Sequence, residues 1–252
     1  VTGNGRPDWQ RKGEYMRLQG KVALITGASR GIGQALAIGF AQEGAQVVVS
    51  ARTMESGSSP KNGSLEDTVL QITETGGTAL AIPCDVSNEI QVRFLVEKTL
   101  AEMGQIDVLV NNAGILSSGP ITQFNSTEFE AVLAVNLLGP FLTCKHVLPI
   151  MIKRRIGNII NVSSRSSIWD EPESLAYGPS KAALNRFTLN LALDMAQYNI
   201  AINALSPGLI SSEMTKNWNP GKDRLGRIPD PPETVIPAAT WLAQQDASTF
   251  TG

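Results

Sequence analysis

Short, uninterrupted apolar runs alternate along this chain with longer stretches whose apolar residues fall three or four apart. The first run is Val22, Ala23, Leu24 and Ile25. A run without polar alternation predicts a strand covered on both faces. Comparable runs are Gln46 to Ser50, Ala79 to Cys84, Ile106 to Val110, Asn158 to Ser163 and Ile200 to Leu205. Between them lie helical patterns. One carries Ala35, Leu36, Ile38, Gly39 and Phe40 and is closed by Glu43-Gly44-Ala45. In the next, Leu65, Val69 and Ile72 share a face, ended by Gly76-Gly77. A third, with Val92, Leu95, Val96 and Leu100, has Ser87 as its expected N-cap and Gly104 past its end. A long helix is expected from about Ser126 to Arg154, kinked at Gly139-Pro140. Another begins near Ala176 and carries Ala182, Leu184, Phe187, Leu191 and Leu193. Strands and helices in alternation predict an α/β fold: a doubly wound parallel sheet in a three-layer, single-domain arrangement.

The connections carry the chemistry. Open sheets of this kind bind ligands outside the carboxyl ends of their strands. Gly27 to Gly33, Arg52, Asp85, Asn112, Ser164 and Pro207 all follow on a predicted strand. Thr26-Gly27-Ala28-Ser29-Arg30-Gly31-Ile32-Gly33 joins the first strand to the first helix. Its glycines admit a close approach of backbone to ligand, and the free N–H groups of a helix's first turn point at negative charge. A Rossmann-like phosphate cradle is the expectation.

Composition narrows the partner. The chain has 252 residues, 42% of them hydrophobic and 17% charged, with a formal net charge of −2. A near-neutral balance gives no attraction for nucleic acid or an anionic membrane. No apolar run approaches the roughly 20 residues that span a bilayer. Residues 1–19 are polar and read as a leader ahead of a domain over 20–252, with no secretory signal. Cys84 and Cys144 lack a CxxC neighbour, which suits reduced thiols in a cytoplasmic protein. His146 and the scattered acids form no metal-ligand spacing. His146 reads as structural or solvated.

Three motifs in order then become specific: Thr26-Gly27 with Gly31 and Gly33, Asn111-Asn112-Ala113-Gly114, and Tyr177 four residues before Lys181. In this order and spacing they resemble the short-chain dehydrogenase/reductases, from about Leu18 to Gly252. The resemblance implies that Tyr177 exchanges a proton with the oxygen of a substrate carbonyl or alcohol. Tyr177 and Lys181 lie on one face of a helix. A phenol of pKa near 10 is a poor base at neutral pH, and a fixed ammonium beside it favours the phenolate. By the same resemblance, Ser164 hydrogen-bonds the substrate oxygen, with its neighbour Ser163 facing the other way. Ser166 and Ser167 read as loop residues. Asn136 would hold a water bridging to Lys181, and Lys181 would also bond the nicotinamide ribose.

The resemblance also places the cofactor. Gly27, Ser29, Arg30, Gly31, Ile32 and Gly33 would hold the pyrophosphate. Asp85 would accept from the adenine amino group while Val86 packs on the ring. Asn112, Ala113 and Gly114 would line the adenosine ribose. Pro207, Gly208, Ile210 and Ser212 would touch the carboxamide and pyrophosphate. An acid at the end of the second strand binds the free 2′-hydroxyl of NAD. Here the sequence is Ser50-Ala51-Arg52, and Arg30 supplies a second cation. A 2′-phosphate wants cations, so NADP(H) is expected, with NAD(H) as runner-up.

The expected partner is a small carbonyl or alcohol substrate in a homodimer or homotetramer. The interface would use the two long helices that carry Asn136 and Tyr177. A non-catalytic dinucleotide sensor or scaffold is the rival reading. The segment from Lys216 to Pro232, with Trp218, sits where relatives place a substrate lid, and a turn-rich surface loop explains it equally well. Two features depart from the family pattern. The stretch from Arg52 to Gly63 is longer than usual, and the sequence ends at Phe250-Thr251-Gly252, where relatives continue into a last strand. Truncation or an altered sheet edge is expected there.

Overall fold

The computed structural model describes residues 16–55, 63–170, 172–213 and 228–252. Most of the polar leader, the middle of the 52–63 loop and most of the expected lid, Trp218 included, lie outside the described residues. The apolar runs form six parallel strands: β1 (Val22–Thr26), β2 (Gln46–Ala51), β3 (Thr78–Pro83), β4 (Val108–Asn111), β5 (Gly157–Val162) and β6 (Ile200–Leu205). Their order across the sheet is β3-β2-β1-β4-β5-β6. Ile25 sits opposite Val49 on one side and Val110 on the other. The strand order reverses between β1 and β4, so their carboxyl ends diverge into the crevice where such sheets take ligands.

The strands read as continuous apolar runs because both faces are covered. Ala23, Ile25, Val47, Val49, Val108 and Val110 enter one core with Leu36, Phe40 and Ile72. Their alternates Leu24, Val48 and Leu109 enter a second core with Leu95, Val147 and Met151. Helices α1 (Gly31–Gln42), α2 (Leu65–Glu74) and α7 (Ile236–Leu242) supply the first face, and α3 (Glu89–Met103), α5 (Gly139–Arg154) and α6 (Tyr177–Met195) the second.

Local chemistry moves several expected boundaries. Asn88, and not Ser87, caps α3, its side chain accepting from Ile90 N and Gln91 N. Ser87 is held back because its hydroxyl and backbone N–H both donate to Asp85 Oδ1, at 2.6 and 2.9 Å. The long helix is interrupted earlier than Gly139-Pro140 implies. After α4 (Ser126–Leu133), residues Ala134–Leu138 make a wide π turn before α5. Such turns recur at functional sites. The continuous stretch Ser126–Arg154 spans 29 residues and is long and apolar enough to cross a membrane, against the sequence expectation. Half of its most apolar window is buried inside the fold, as befits a core helix. At the sheet edge, Gly252 N donates to Ile202 O at 3.0 Å and Ile202 N to Thr251 Oγ1 at 3.0 Å, so the last residues lie along β6.

Candidate active site

One cleft of about 360 Å³ opens at the carboxyl ends of β1, β4 and β5. At one end is the glycine turn. Gly27 has φ of +65°, and a Cβ there would stand 2.7 Å from Ala113 Cα, so the turn and the end of β4 touch backbone to backbone. The contact is fastened by Thr26 and Asn112. Thr26 Oγ1 donates to Val110 O and accepts from Asn112 N and Ala113 N. Asn112 Nδ2 donates to Thr26 O and Gly27 O, both at 3.0 Å. Across the turn α1 begins at Arg30 with no side-chain cap and no acid in its first turn. An uncapped, acid-free helix start leaves its N–H groups and positive dipole end for an anion. These donors fit a dinucleotide's pyrophosphate.

Gly33 is the exception among the motif glycines. It does not line the cleft. A Cβ on it would lie 2.2 Å from Gly27 O and 2.4 Å from Asn112 Nδ2, so Gly33 lets α1 close against the turn. Ser29, Arg30, Gly31, Ile32, Arg52, Asp85, Val86, Ala113 and Gly114 do line the cleft, with Pro207, Gly208, Ile210 and Ser212 opposite. A Cβ on Gly31 would be 3.7 Å from Ser212 Cβ, which measures how close the two walls come. Arg30 and Arg52 are exposed at the rim. Burial raises the Asp85 pKa, but hydrogen bonds from Ser87 and the Arg52 charge outweigh it, leaving the carboxyl below its ordinary range.

At the other end of the cleft, Ser164, Tyr177 and Lys181 converge. Ser164 leaves β5 as the N-cap of a short 3₁₀ turn, Arg165–Ser167. Its Oγ lies 3.2 Å from both Ser166 N and Ser166 Oγ. Ser163, expected to face the other way, also borders the cleft, and its hydroxyl donates to Asn185 Oδ1 at 2.6 Å. Tyr177 starts α6, and Lys181 follows one turn later with only 4% of its surface exposed. Lys181 Nζ donates to Val162 O at 2.8 Å and lies 5.8 Å from the Tyr177 ring centroid. Burial pushes its ammonium pKa down to about 8. A cation has been carried into the protein interior beside a phenol.

Asn136 lies behind the cleft surface. It is fully buried on the π turn and is absent from the cleft wall. Its Nδ2 donates to Ile115 O and Ser180 Oγ, and its Oδ1 accepts from Ile115 N. Both amide N–H bonds are thus used inside the protein. What it holds is the peptide of Ile115, beside Gly114, whose Cβ position is 3.4 Å from Asn136 Oδ1 and 3.7 Å from Lys181 Nζ.

The remaining expectations fall plainly. His146 bonds Glu89 at 3.2 Å on the far side of α5. Cys84 and Cys144 are free and buried, their thiols pushed up by burial to about 11 and about 12. Among the described residues no cluster could hold a metal. Sequence reasoning missed Asn185, Ser180 and the cleft-lining Ile115, Leu116 and Glu213. Only the four-residue interval from Lys181 to Asn185 hinted at any of them.

Comparison with known proteins agrees with this geometry. The sequence model of one family, described as short chain dehydrogenase, matches residues 21–223. The chain belongs to the short-chain dehydrogenase/reductase family. It is 38% identical over 244 residues to a 3-oxoacyl-acyl-carrier-protein reductase of Thermotoga maritima, covering 94% of this chain and 96% of that one. It is 36% identical over 247 residues to glucose 1-dehydrogenase 2 of Bacillus subtilis, covering 94% and 93%. A metagenomic short-chain oxidoreductase crystallised with NADP superposes with a TM-score of 0.78 at 31% identity, covering 94% and 96%. The family acts on CH–OH and C=O groups.

Proposed function

We propose that this protein is an NADP(H)-dependent oxidoreductase that interconverts a carbonyl compound and a secondary alcohol. The observation that carries the reading is the convergence of Ser164, Tyr177 and Lys181 in the same cleft as the uncapped start of α1. When bound, the dinucleotide supplies or accepts the hydride. The chain's own residues handle the oxygen. Ser164 orients it by hydrogen bonding, and Tyr177 gives it a proton in reduction or removes one in oxidation. Lys181 holds positive charge beside Tyr177 and so lowers the cost of the phenolate. It would also bond the nicotinamide ribose. Asn136 and Ser180 secure the peptide next to Lys181.

Three features support NADP(H). Arg30 and Arg52 both line the cleft, and the end of β2 offers Ser50 and Ala51 where a carboxylate would repel a 2′-phosphate. The metagenomic relative binds NADP. The named relatives are a 3-oxoacyl-acyl-carrier-protein reductase and a glucose dehydrogenase, so the family chemistry spans unlike substrates. A homo-oligomer is supported by a shallow apolar groove of Leu133, Leu137, Leu138, Phe141 and Phe187 on the α4–α5 and α6 face.

Tyr177→Phe tests the central claim. A panel of simple ketones, β-keto esters, keto acids and sugars is screened with NADPH, following loss of the reduced nicotinamide absorbance. The parent should turn over some members and the variant none, with NADPH affinity retained. Unchanged turnover in the variant would refute the assignment.

A further inference from the structure

Helix α6 grips the end of β5 at three consecutive residues. Tyr177, Lys181 and Asn185 succeed one another at four-residue intervals, so they share the helix face turned toward that strand. Lys181 Nζ donates to Val162 O. One turn on, Asn185 Oδ1 accepts from Ser163 Oγ at 2.6 Å, and Asn185 Nδ2 donates to Ser167 Oγ at 2.8 Å. Ser167 Oγ donates in turn to Ser164 O at 2.6 Å. The amide therefore straddles Ser164, holding the residue before it directly and its carbonyl through Ser167.

We propose that Asn185 is a positioning residue that fixes the Ser164 hydroxyl relative to Tyr177 by clamping the 163–167 turn. This rests on the reading of Ser164 and Tyr177 given above. Asn185 lies outside the cleft wall and acts only through its neighbours. Ser164 leaves a strand for a 3₁₀ turn of three residues, so the position of its hydroxyl depends on how that turn is held. The chain of bonds is also directional. A hydroxyl has one proton, and Ser167 points it at Ser164 O while Asn185 approaches it as a donor. A carboxylate in place of the amide would compete for that proton and leave the Ser164 carbonyl with only the Ser167 N–H, at 3.1 Å, with almost no change of shape.

Asn185→Asp, Asn185→Ala and Ser167→Ala are compared with the parent using NADPH and the panel ketone that the parent reduces fastest. The readouts are kcat, KM, NADPH affinity by fluorescence titration, and Tm. A loss of alignment of this kind should lower kcat by about ten- to a hundredfold. NADPH affinity should stay within about twofold of the parent, and Asn185→Ala combined with Ser167→Ala should cost no more than the worse single change, since both cut one chain of bonds. A fall in Tm with kcat per folded molecule unchanged in all three variants overturns the proposal. Ser164→Ala separates the two levels. If it leaves kcat intact, the reading of Ser164 fails and the inference falls with it. If it abolishes turnover while the Asn185 and Ser167 variants keep the parent's kcat, the inference alone fails.

Discussion

Replacing Lys181 with methionine should stabilise the fold while abolishing turnover. The lysine is nearly fully buried, and its pKa falls from 10.5 to about 8 through loss of solvent. At about 1.36 kcal/mol per unit, keeping it charged at pH 7 costs roughly 3 kcal/mol of folding free energy. Methionine removes that cost and fills a similar volume. It also orphans Val162 O, which loses a 2.8 Å bond, a penalty of about 1 kcal/mol. The net expectation is a variant about 2 kcal/mol more stable at pH 7, or roughly 4–8 °C in Tm for a chain of this size.

The pH dependence identifies the cause. Below pH 8 the lysine is protonated in both folded and unfolded parent, so the full cost is present. Between pH 8 and 10.5 the folded lysine releases its proton while the unfolded one retains it, and the parent gains stability as pH rises. The variant has nothing to release at this position. Its advantage should therefore be flat up to about pH 8 and shrink steadily from there to pH 10.5. Urea unfolding of both proteins at four pH values across this range measures the difference, and other titrating groups, common to both, cancel. A gap that stays constant from pH 7 to 10, or a variant less stable than the parent at pH 7, refutes the reasoning.

Other changes probe the rest of the molecule. Arg52→Ala should weaken NADPH binding by about tenfold or more and leave NADH unaffected, the size expected for losing one charge-assisted phosphate contact; equal NADPH and NADH affinities in the parent would refute the cofactor assignment. Gly33→Ala would bring a methyl to 2.2 Å from Gly27 O, backbone that cannot yield cheaply. It should lose dinucleotide binding and about 2 kcal/mol or more of stability, checked by titration and urea melts. Phe141→Glu places a charge in the apolar groove on α5, where Phe141 is 46% exposed and stacks edge-on with Phe187. It should lower the molar mass measured by light scattering, and an unchanged mass argues against an interface there.

What the sequence disclosed depended on how local its cause was. Val47-Val48-Val49 announces a doubly covered strand because both of its faces are written in three residues. Tyr177 and Lys181 share a helix face by spacing alone. The choice of Asn88 over Ser87 as cap was lost because Asp85, two residues away, claims the serine. Gly33 looked like its fellow glycines until the fold brought Gly27 O and Asn112 against it from β1 and β4. The partners of Asn136, Ile115 and Ser180, lie 21 and 44 residues away. No local pattern encodes such meetings.

The same distinction explains how the site is held. The glycine turn is fixed by Thr26 and Asn112 to the ends of β1 and β4, and the reacting side chains are fixed by α6 to the end of β5. Each anchorage uses backbone carbonyls or short polar side chains at the carboxyl ends of the strands. Ile115, Leu116, Arg165 and Leu209 line the cleft from the segments after β4, β5 and β6. A buried ammonium that costs stability needs a rigid seat, since loosening would let water in and weaken its field at a neighbouring phenol. On the proposed reading, proton transfer is tied to Tyr177 and Lys181 of α6, seated on the end of β5, and the shape of the accepted carbonyl compound to the loops lining the cleft.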